Sequence, residues 1–134
     1  IILLGLEQAL SSLRKRKVPP SLEGTLRKET RFRKIMDPKF AEVSDGFLTW
    51  WSDESKADQR GCLDLTDLNL QFLEETAIES IFSVASAGQS YKFSVLHKDT
   101  PSAEEWMWFL ELSSAYCNKV RARMQTRGKS FLMG

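Results

Sequence analysis

The first part of the chain carries apolar residues at the spacing of one helix face. They are leucines three and four positions apart: Leu3, Leu6, Leu10 and Leu13. We therefore predict a helix over residues 1–17, ended by Pro19 and Pro20 because proline cannot continue a helix. Its basic residues, Arg14 to Lys17, cluster at one end, which favours packing on the domain or self-association. An interfacial or partner-binding helix is the alternative.

Between residues 22 and 97 the pattern changes to short segments in which apolar and polar residues alternate. Such segments favour β-strands. We predict seven, near residues 22–30, 38–44, 47–52, 60–65, 68–73, 78–86 and 91–97. Ser44-Asp45-Gly46 and residues 87–90 have the composition of tight turns. This regular spacing predicts an antiparallel sandwich or barrel.

The last apolar pattern is helical again. Ser102 and Glu105 form a candidate capping box, and Thr100 followed by Pro101 is an alternative start. The predicted buried face comprises Trp106, Phe109, Leu110, Ser113, Tyr116 and Cys117. Trp108 falls on another face, as a partly exposed packing residue or an interface anchor. We expect Gly128 to end this helix.

These patterns predict one domain with two appendages. Residues 1–20 form the N-terminal helix and its Pro-Pro linker, residues 21–126 the domain, and residues 127–134 a flexible tail. The chain of 134 residues is long enough for one core. Because it begins with Ile1 rather than Met, we expect a fragment, and any upstream lipidation signal would lie outside it.

Charge is distributed unevenly along the chain, although the net charge is only +1. Residues 1–40 carry ten basic and four acidic residues, giving +6. Residues 41–118 carry four and fourteen, giving −10, and residues 119–134 carry five basic residues and no acidic ones. If the two basic ends share a face, the molecule would orient against an anionic surface. The acidic centre disfavours nucleic acid as a partner.

The densest basic stretch follows the first predicted strand. It holds five cations within eight residues: Arg27, Lys28, Arg31, Arg33 and Lys34. Three apolar residues stand beside them: Phe32, Ile35 and Met36. Cations next to exposed apolar side chains suit a surface that meets phosphate head groups and the lipid behind them. The alternative is a solvated basic loop with one aromatic residue in the core.

Catalytic and metal chemistry find little support in the composition. His97 is the only histidine, so no second one is available for a metal cluster. Cys62 and Cys117 have no evident base nearby in sequence, and two cysteines are too few for the disulfide framework of a small secreted domain. We expect free thiols in a reducing compartment, no cofactor and no enzymatic activity.

Four motifs in order resemble the pleckstrin homology (PH) domain. Glu23–Lys28 is similar to the first strand of that family and Asp45–Trp51 to its second hairpin. Gly61–Leu65 is similar to the fourth strand, and Glu104-Glu105-Trp106 with Leu110 to the helix signature. The resemblance covers residues 21–118 and implies a mainly β fold. This is a seven-stranded antiparallel barrel or sandwich capped by a C-terminal helix, here with an extra N-terminal helix.

In PH domains that bind phosphoinositides, the resemblance implies a lysine in the first strand. A basic residue, any residue, an arginine and an aromatic follow in the second. Lys28 matches the first position, and Lys39 with Phe40 falls where the arginine and aromatic stand. Lys39 stands in place of the arginine, and lysine cannot bind a phosphate with two parallel hydrogen bonds as arginine does. Asp37 occupies the remaining position, where the pattern has a basic residue. Asp37 would therefore repel an inositol phosphate.

The predicted function is a non-catalytic peripheral membrane module on the cytosolic face. Its head-group residues would be Arg27, Lys28, Arg31, Arg33, Lys34 and Lys39. Phe32, Ile35 and Met36 would insert into the membrane, and Gly24 and Trp106 would be structural. We favour phosphatidic acid, because the charge lies in the loop. A phosphoinositide, or a protein partner through residues 1–17, is the alternative. In this interpretation the chain resembles one subfamily, the acylated PH-domain proteins of apicomplexan parasites, which are associated with phosphatidic acid sensing.

Overall fold

The computed structural model describes the backbone of residues 19–133 and the side chains of residues 19–123. The predicted N-terminal helix over residues 1–17 lies outside the described residues. The side chains of the predicted tail, residues 127–134, also lie outside them. The division into residues 1–20, 21–126 and 127–134 therefore stays a prediction.

Seven antiparallel strands form one sheet in the order β4-β3-β2-β1-β7-β6-β5. Their bounds are β1 Leu22–Glu29, β2 Met36–Ser44, β3 Phe47–Trp51, β4 Gln59–Asp64, β5 Asn69–Glu75, β6 Glu79–Ser86 and β7 Gln89–Leu96. The prediction of seven strands is confirmed, and most strand ends lie one or two residues from their predicted positions. The largest consequence is at β2, which begins at Met36 because that residue pairs with Glu29 of β1.

Alternation of side chains explains how the sheet encloses its core. In β6, Ser80, Phe82, Val84 and Ser86 are buried while the residues between them are partly exposed. Cross-strand partners share a face, so Phe82 meets Phe93 of β7, with ring centroids 6.1 Å apart. Leu26 of β1 and Leu48 of β3 are also fully buried. The buried apolar residues of these strands join one cluster that includes Trp106.

The C-terminal helix α1 spans Ala103–Met133 and begins with the predicted capping box. The Glu105 amide donates to Ser102 Oγ at 3.2 Å, and the Ser102 amide donates to Glu105 Oε1 at 3.3 Å. The alternative start at Thr100 is not used. Pro101 lies before the helix against Gly24, where a Cβ would overlap the proline ring.

The buried face of α1 is close to the predicted one. Trp106 and Leu110 are fully buried, and Phe109 and Ser113 nearly so. Leu112 and Ser114 are buried as well, which the predicted face did not include, while Trp108 is 42% exposed. Tyr116 and Cys117 are only partly buried.

The expected end of α1 at Gly128 is wrong, since the helix continues to Met133. A single glycine inside a helix costs only about 1 kcal/mol relative to alanine. No proline follows it to stop the helix.

Strand β2 runs between two ends of the sheet. The helix end is the β2–β3 turn, which lies against α1, and the loop end is the β1–β2 loop. At the helix end, Asp45 and Gly46 form the tight β2–β3 turn with φ values of 54° and 84°, as the sequence predicted. A Cβ at Gly46 would overlap Cys117 Sγ of α1. At the other end, called the loop end, β2 leads back into the β1–β2 loop.

The two cysteines are both free, as expected. Cys62 is exposed on the edge strand β4, with its Sγ 3.5 Å from Thr49 Oγ1. Cys117 is partly buried at the helix end. Burial, and to a lesser degree the Asp64 carboxylate, raises the pKa of the Cys117 thiol.

Candidate anion-binding site

The β1–β2 loop is a short closed turn rather than a long open one. The Thr30 amide donates to the carbonyl of Ile35 at 2.7 Å, and the Lys34 amide donates to the carbonyl of Thr30 at 3.2 Å. Lys34 takes a left-handed conformation with φ of 53°. Because Thr30 ties both sides of the loop together, the residues between are turned outward into solvent.

The tip of this loop combines charge with apolar surface. Phe32 is 92% exposed and Ile35 is 54% exposed. Arg31, Arg33 and Lys34 are exposed beside them. Within the described part of the chain, none of these three cations forms an ion pair or side-chain hydrogen bond. Their charges are therefore available to an external anion.

Arg27, also predicted to bind a head group, is engaged within the protein. Arg27 Nη1 lies 3.0 Å from Glu79 Oε2, and Nη2 donates to the carbonyl of Met36 at 3.2 Å. Glu79 is 52 positions away in the chain, so sequence reasoning did not find this partner. Arg27 braces the outer face of β1 rather than standing free.

Met36 was expected in the loop as an inserting residue, and the structure places it in β2 instead. It pairs with Glu29 across the hairpin and is half-buried. The hairpin register extends β2 two residues towards the loop, which removes Met36 from the tip. Phe32 and Ile35 are left as the apolar residues there.

Lys39 faces the same side of the hairpin as Lys28 and Asp37, since β1 and β2 pair Leu26 with Lys39 and Lys28 with Asp37. Lys39 Nζ lies 2.8 Å from Asp37 Oδ2. The aspartate that breaks the phosphoinositide pattern therefore also neutralises the lysine that continues it. A phosphate at this position would have to compete with a neighbouring carboxylate.

Lys28 lies at the loop end of the core, over two aromatic rings. Its Nζ is 5.2 Å from the ring centroid of Tyr91 and 6.0 Å from that of Trp50. It donates to the carbonyl of Glu29 at a long 3.4 Å. Burial lowers the pKa of the Lys28 ammonium below its usual value, and the nearby positive charge of Lys39 lowers it further.

A cleft opens beside Lys28, where β1 and β7 separate. The two strands pair only at Arg27 with Ser94 and at Lys28 with Phe93. Beyond that point lies a concavity of about 380 Å³ between the β1–β2 loop and the start of β7. It is lined by three cations, one carboxylate and several hydrogen-bonding groups: Lys28, Arg31, Lys92, Glu29, Thr30, Gln89, Ser90 and Tyr91.

Sequence reasoning missed Lys92 and Ser90 as members of the site. Lys92 Nζ is 3.6 Å from Glu29 Oε2, so it is only loosely paired. The one signal that could have found it is the order of the strands, because the PH resemblance implies that β7 lies beside β1. No local pattern around Lys92 indicates an anion site.

The β3–β4 loop on the other side of the hairpin is acidic. Asp53 and Glu54 line a concave surface that also includes Lys39. The one lysine of this loop, Lys56, turns away to the outer face of the sheet. Its Nζ lies 3.1 Å from Glu42 Oε2 and 5.0 Å from the Trp51 ring centroid.

The described residues contain no helix long and apolar enough to cross a bilayer. They also contain no cluster of three or more His, Cys, Asp or Glu side chains placed to hold a metal ion.

Comparison with known proteins supports the fold. No protein-family model and no curated protein sequence matches the chain. Among solved structures, the PH domain of human oxysterol binding protein-related protein 11 matches with a TM-score of 0.64 and 21% identity. The match covers 75% of this chain and 85% of that one. The PH domain of human TBC1 domain family member 2 matches with a TM-score of 0.61 and 14% identity, over 74% and 84% of the two chains.

A third similar structure carries a ligand. It is the C-terminal PH domain of pleckstrin in complex with D-myo-Ins(1,2,3,5,6)P5, with a TM-score of 0.55 and 18% identity over 72% of this chain and 95% of that one. At these identities the likeness establishes the fold, and the chain has a PH fold as its motifs predicted. The three structures lend no support to the acylated apicomplexan subfamily.

Proposed function

We propose that this protein is a non-catalytic module that binds anionic phospholipid at the cytosolic face of a membrane and recruits its parent protein there. The observation that carries the proposal is the tip of the β1–β2 loop. There Arg31, Arg33 and Lys34 form no ion pair with the other described side chains and lie beside exposed Phe32 and Ile35. Each cation near an anionic surface contributes about 1 kcal/mol. The apolar side chains gain further by leaving water at the acyl boundary.

The preferred ligand in this proposal is phosphatidic acid. Its phosphomonoester lies close to the bilayer plane, at the depth that a loop with inserted Phe32 and Ile35 would reach. The cleft between Lys28, Arg31 and Lys92 offers it cations on several sides. A phosphomonoester carries more than one negative charge near neutral pH, so clustered cations favour it over a phosphodiester.

A phosphoinositide is the second candidate. Lys28 occupies the first-strand position that the family pattern requires, and a structure of the same fold binds an inositol pentakisphosphate. The Asp37–Lys39 ion pair and the acidic β3–β4 loop oppose this ligand. We therefore rank it below phosphatidic acid.

The test is liposome sedimentation at physiological salt, with phosphatidic acid, phosphatidylserine and phosphatidylinositol phosphates compared at matched surface charge. We expect preferential binding to phosphatidic acid. Reversing Arg31, Arg33 and Lys34 to Glu should weaken it at least about 100-fold, since three favourable contributions become unfavourable. The matched control reverses three exposed cations elsewhere: Lys98, Lys119 and Arg123.

A second arm of the same assay tests the cleft with Lys92→Glu. We expect the preference for phosphatidic acid over phosphatidylserine to fall while the remaining binding to both lipids persists. If the loop reversal leaves sedimentation unchanged, membrane binding through this loop is wrong. If a phosphoinositide is preferred by the natural chain, the ranking of the two ligands is wrong.

A further inference from the structure

An apolar groove at the helix end is not used by the membrane proposal. It has a volume of about 230 Å³ and lies between the β2–β3 turn, the end of β4 and α1. Phe47 of β3 is 43% exposed there, and Val120 of α1 is 36% exposed. Two large apolar side chains therefore face solvent in one concavity, where an apolar segment would cover both. We call it the helix-end groove, and its lining includes Asp45, Phe47, Asp64, Cys117, Val120 and Arg121.

Strand β1 begins at this same end of the sheet, so the chain before it arrives beside the groove. Leu22 pairs with Val43 of β2. The next residue of β2, Ser44, pairs with Phe47 of β3. Paired Cα atoms lie about 5 Å apart and consecutive ones about 4 Å, so Leu22 is within about 15 Å of Phe47. Pro19, where the described residues begin, is three positions before Leu22 and hence within about 26 Å of Phe47 even if fully extended.

The N-terminal segment, residues 1–17, is long enough to cover this distance. A helix over these residues would be about 25 Å long. Only Val18 separates it from Pro19, so the Cα of Leu3 can lie up to about 28 Å from Pro19. This reach exceeds the largest distance that the strand pairing allows between Pro19 and Phe47. The other leucines of the apolar face lie nearer to Pro19 and reach the nearer parts of the groove.

Charge at the groove is complementary to the part of the segment that lies next to it. The basic run Arg14 to Lys17 comes just before the Pro-Pro linker. Asp45 of the β2–β3 turn is exposed and forms no ion pair with the other described side chains. Asp64 Oδ2 lies 3.4 Å from Arg121 Nη2, so the groove has two carboxylates and one guanidinium in its lining. The basic run therefore meets a net negative charge.

We propose that the N-terminal segment docks as an amphipathic helix in the helix-end groove of its own domain. Its leucines cover Phe47 and Val120, and its basic run lies beside Asp45. The occupant is this segment rather than a second molecule, because a linker of a few residues holds it at an effective concentration on the order of millimolar. Docking also covers Cys117, which lines the groove against Gly46.

The test measures how fast the Cys117 thiol of the complete chain reacts with N-ethylmaleimide, with each cysteine resolved by peptide mass mapping. Leu6→Asp with Leu10→Asp places two charges on the apolar face of the segment. We expect Cys117 to react roughly tenfold faster in this leucine variant, because the natural chain exposes the thiol only in its undocked fraction. Cys62 is exposed on β4 and serves as the internal reference, with an unchanged rate.

Further variants separate docking from an effect of charge alone. Gln8→Asp with Ser12→Asp adds the same charge on the opposite face of the segment and should leave the Cys117 rate unchanged. Val120→Lys alters the groove instead and should speed hydrogen–deuterium exchange of the amides in the N-terminal segment. Its control is Trp108→Lys, at an exposed position of α1 outside the groove, which should leave that exchange unchanged.

The molecular mass in solution, measured by light scattering, completes the test. A monomer whose Cys117 reacts faster in the leucine variant supports docking within one chain. An unchanged Cys117 rate in that variant overturns the proposal, and so does an unchanged exchange of the segment in Val120→Lys. A dimer that the leucine variant dissociates also overturns it, because a second copy would then cover the groove.

Discussion

The two ends of β2 differ in what their residues contact. At the helix end, Gly46 lies against the Cys117 thiol of α1, the helix that also carries the fully buried Trp106. At the loop end, the side chains of Arg31, Arg33 and Lys34 are exposed, and Phe32 is 92% exposed. One end is specified by close packing, where a single added methyl group would overlap a neighbour. The other is specified by composition, and its cations have no side-chain partner among the described residues.

This difference separates stability from binding. Residues at the helix end hold the fold together, and their replacement should unfold it. Residues at the loop tip contribute little to the core, so they are available for an external partner. The two ends should therefore respond independently to substitution, as distant sites without shared partners usually do.

The largest effect is expected for the helix that packs at the helix end. Trp106→Ala removes a fully buried indole from the core cluster and should lower the free energy of unfolding by about 3–5 kcal/mol. Urea denaturation followed by circular dichroism measures it. Trp108→Ala, at a 42% exposed position of the same helix, is the control and should cost far less. A comparable loss in the Arg31, Arg33 and Lys34 variant would break the comparison between the ends.

A smaller effect is expected for Asp37→Ala at the loop end. The change removes the carboxylate that holds Lys39 at 2.8 Å, so Lys39 becomes available to a phosphate. Affinity for D-myo-Ins(1,2,3,5,6)P5 should rise by about tenfold, the effect of roughly one charge–charge interaction near the surface. Titration calorimetry measures it, with exposed Glu111→Ala on α1 as control. Unchanged affinity would mean that Asp37 does not block this ligand.

The smallest effect concerns the pH dependence of Lys28. Its pKa is lowered by burial, so it loses its proton at a lower pH than a free lysine, whose pKa is 10.5. The folded state thus binds fewer protons than the unfolded chain there, and the charged form is the disfavoured one. Binding to phosphatidic acid should weaken as pH rises from about 8 towards 10.5, where the phosphomonoester stays fully charged.

Lys28→Arg tests that assignment, because arginine keeps its charge over this range. The variant should lose the added pH dependence in liposome sedimentation while still binding at neutral pH. Equal pH profiles for the two proteins would place the titrating group elsewhere.

The elements that local patterns encode were the most predictable part of the molecule. Alternation gave the seven strands, and the reciprocal pair Ser102 and Glu105 correctly marked the start of α1. Gly46 identified its turn because that turn needs positive φ. The end of α1 predicted at Gly128 was wrong, because an isolated glycine weakens a helix without ending it.

The site was less predictable, because it depends on residues far apart in the chain. The sequence alone identified the basic residues 31–34, which the structure leaves exposed, and the acidic residue Asp37. It could not show that Glu79 engages Arg27, or that Lys92 lies across the cleft from Arg31. Both depend on which strands become neighbours, and no local period encodes that. The register of one hairpin likewise decided that Met36 belongs to β2.

The contrast between the two thiols has a practical consequence for measuring membrane depth. Cys117 is partly buried, and the raised pKa of its thiol leaves little reactive thiolate at neutral pH. Cys62 is exposed on β4, between the two ends of the sheet. A maleimide fluorophore should therefore attach first to Cys62, without any engineered cysteine. Quenchers placed at different depths in the bilayer would then report how the unmodified sequence orients on lipid.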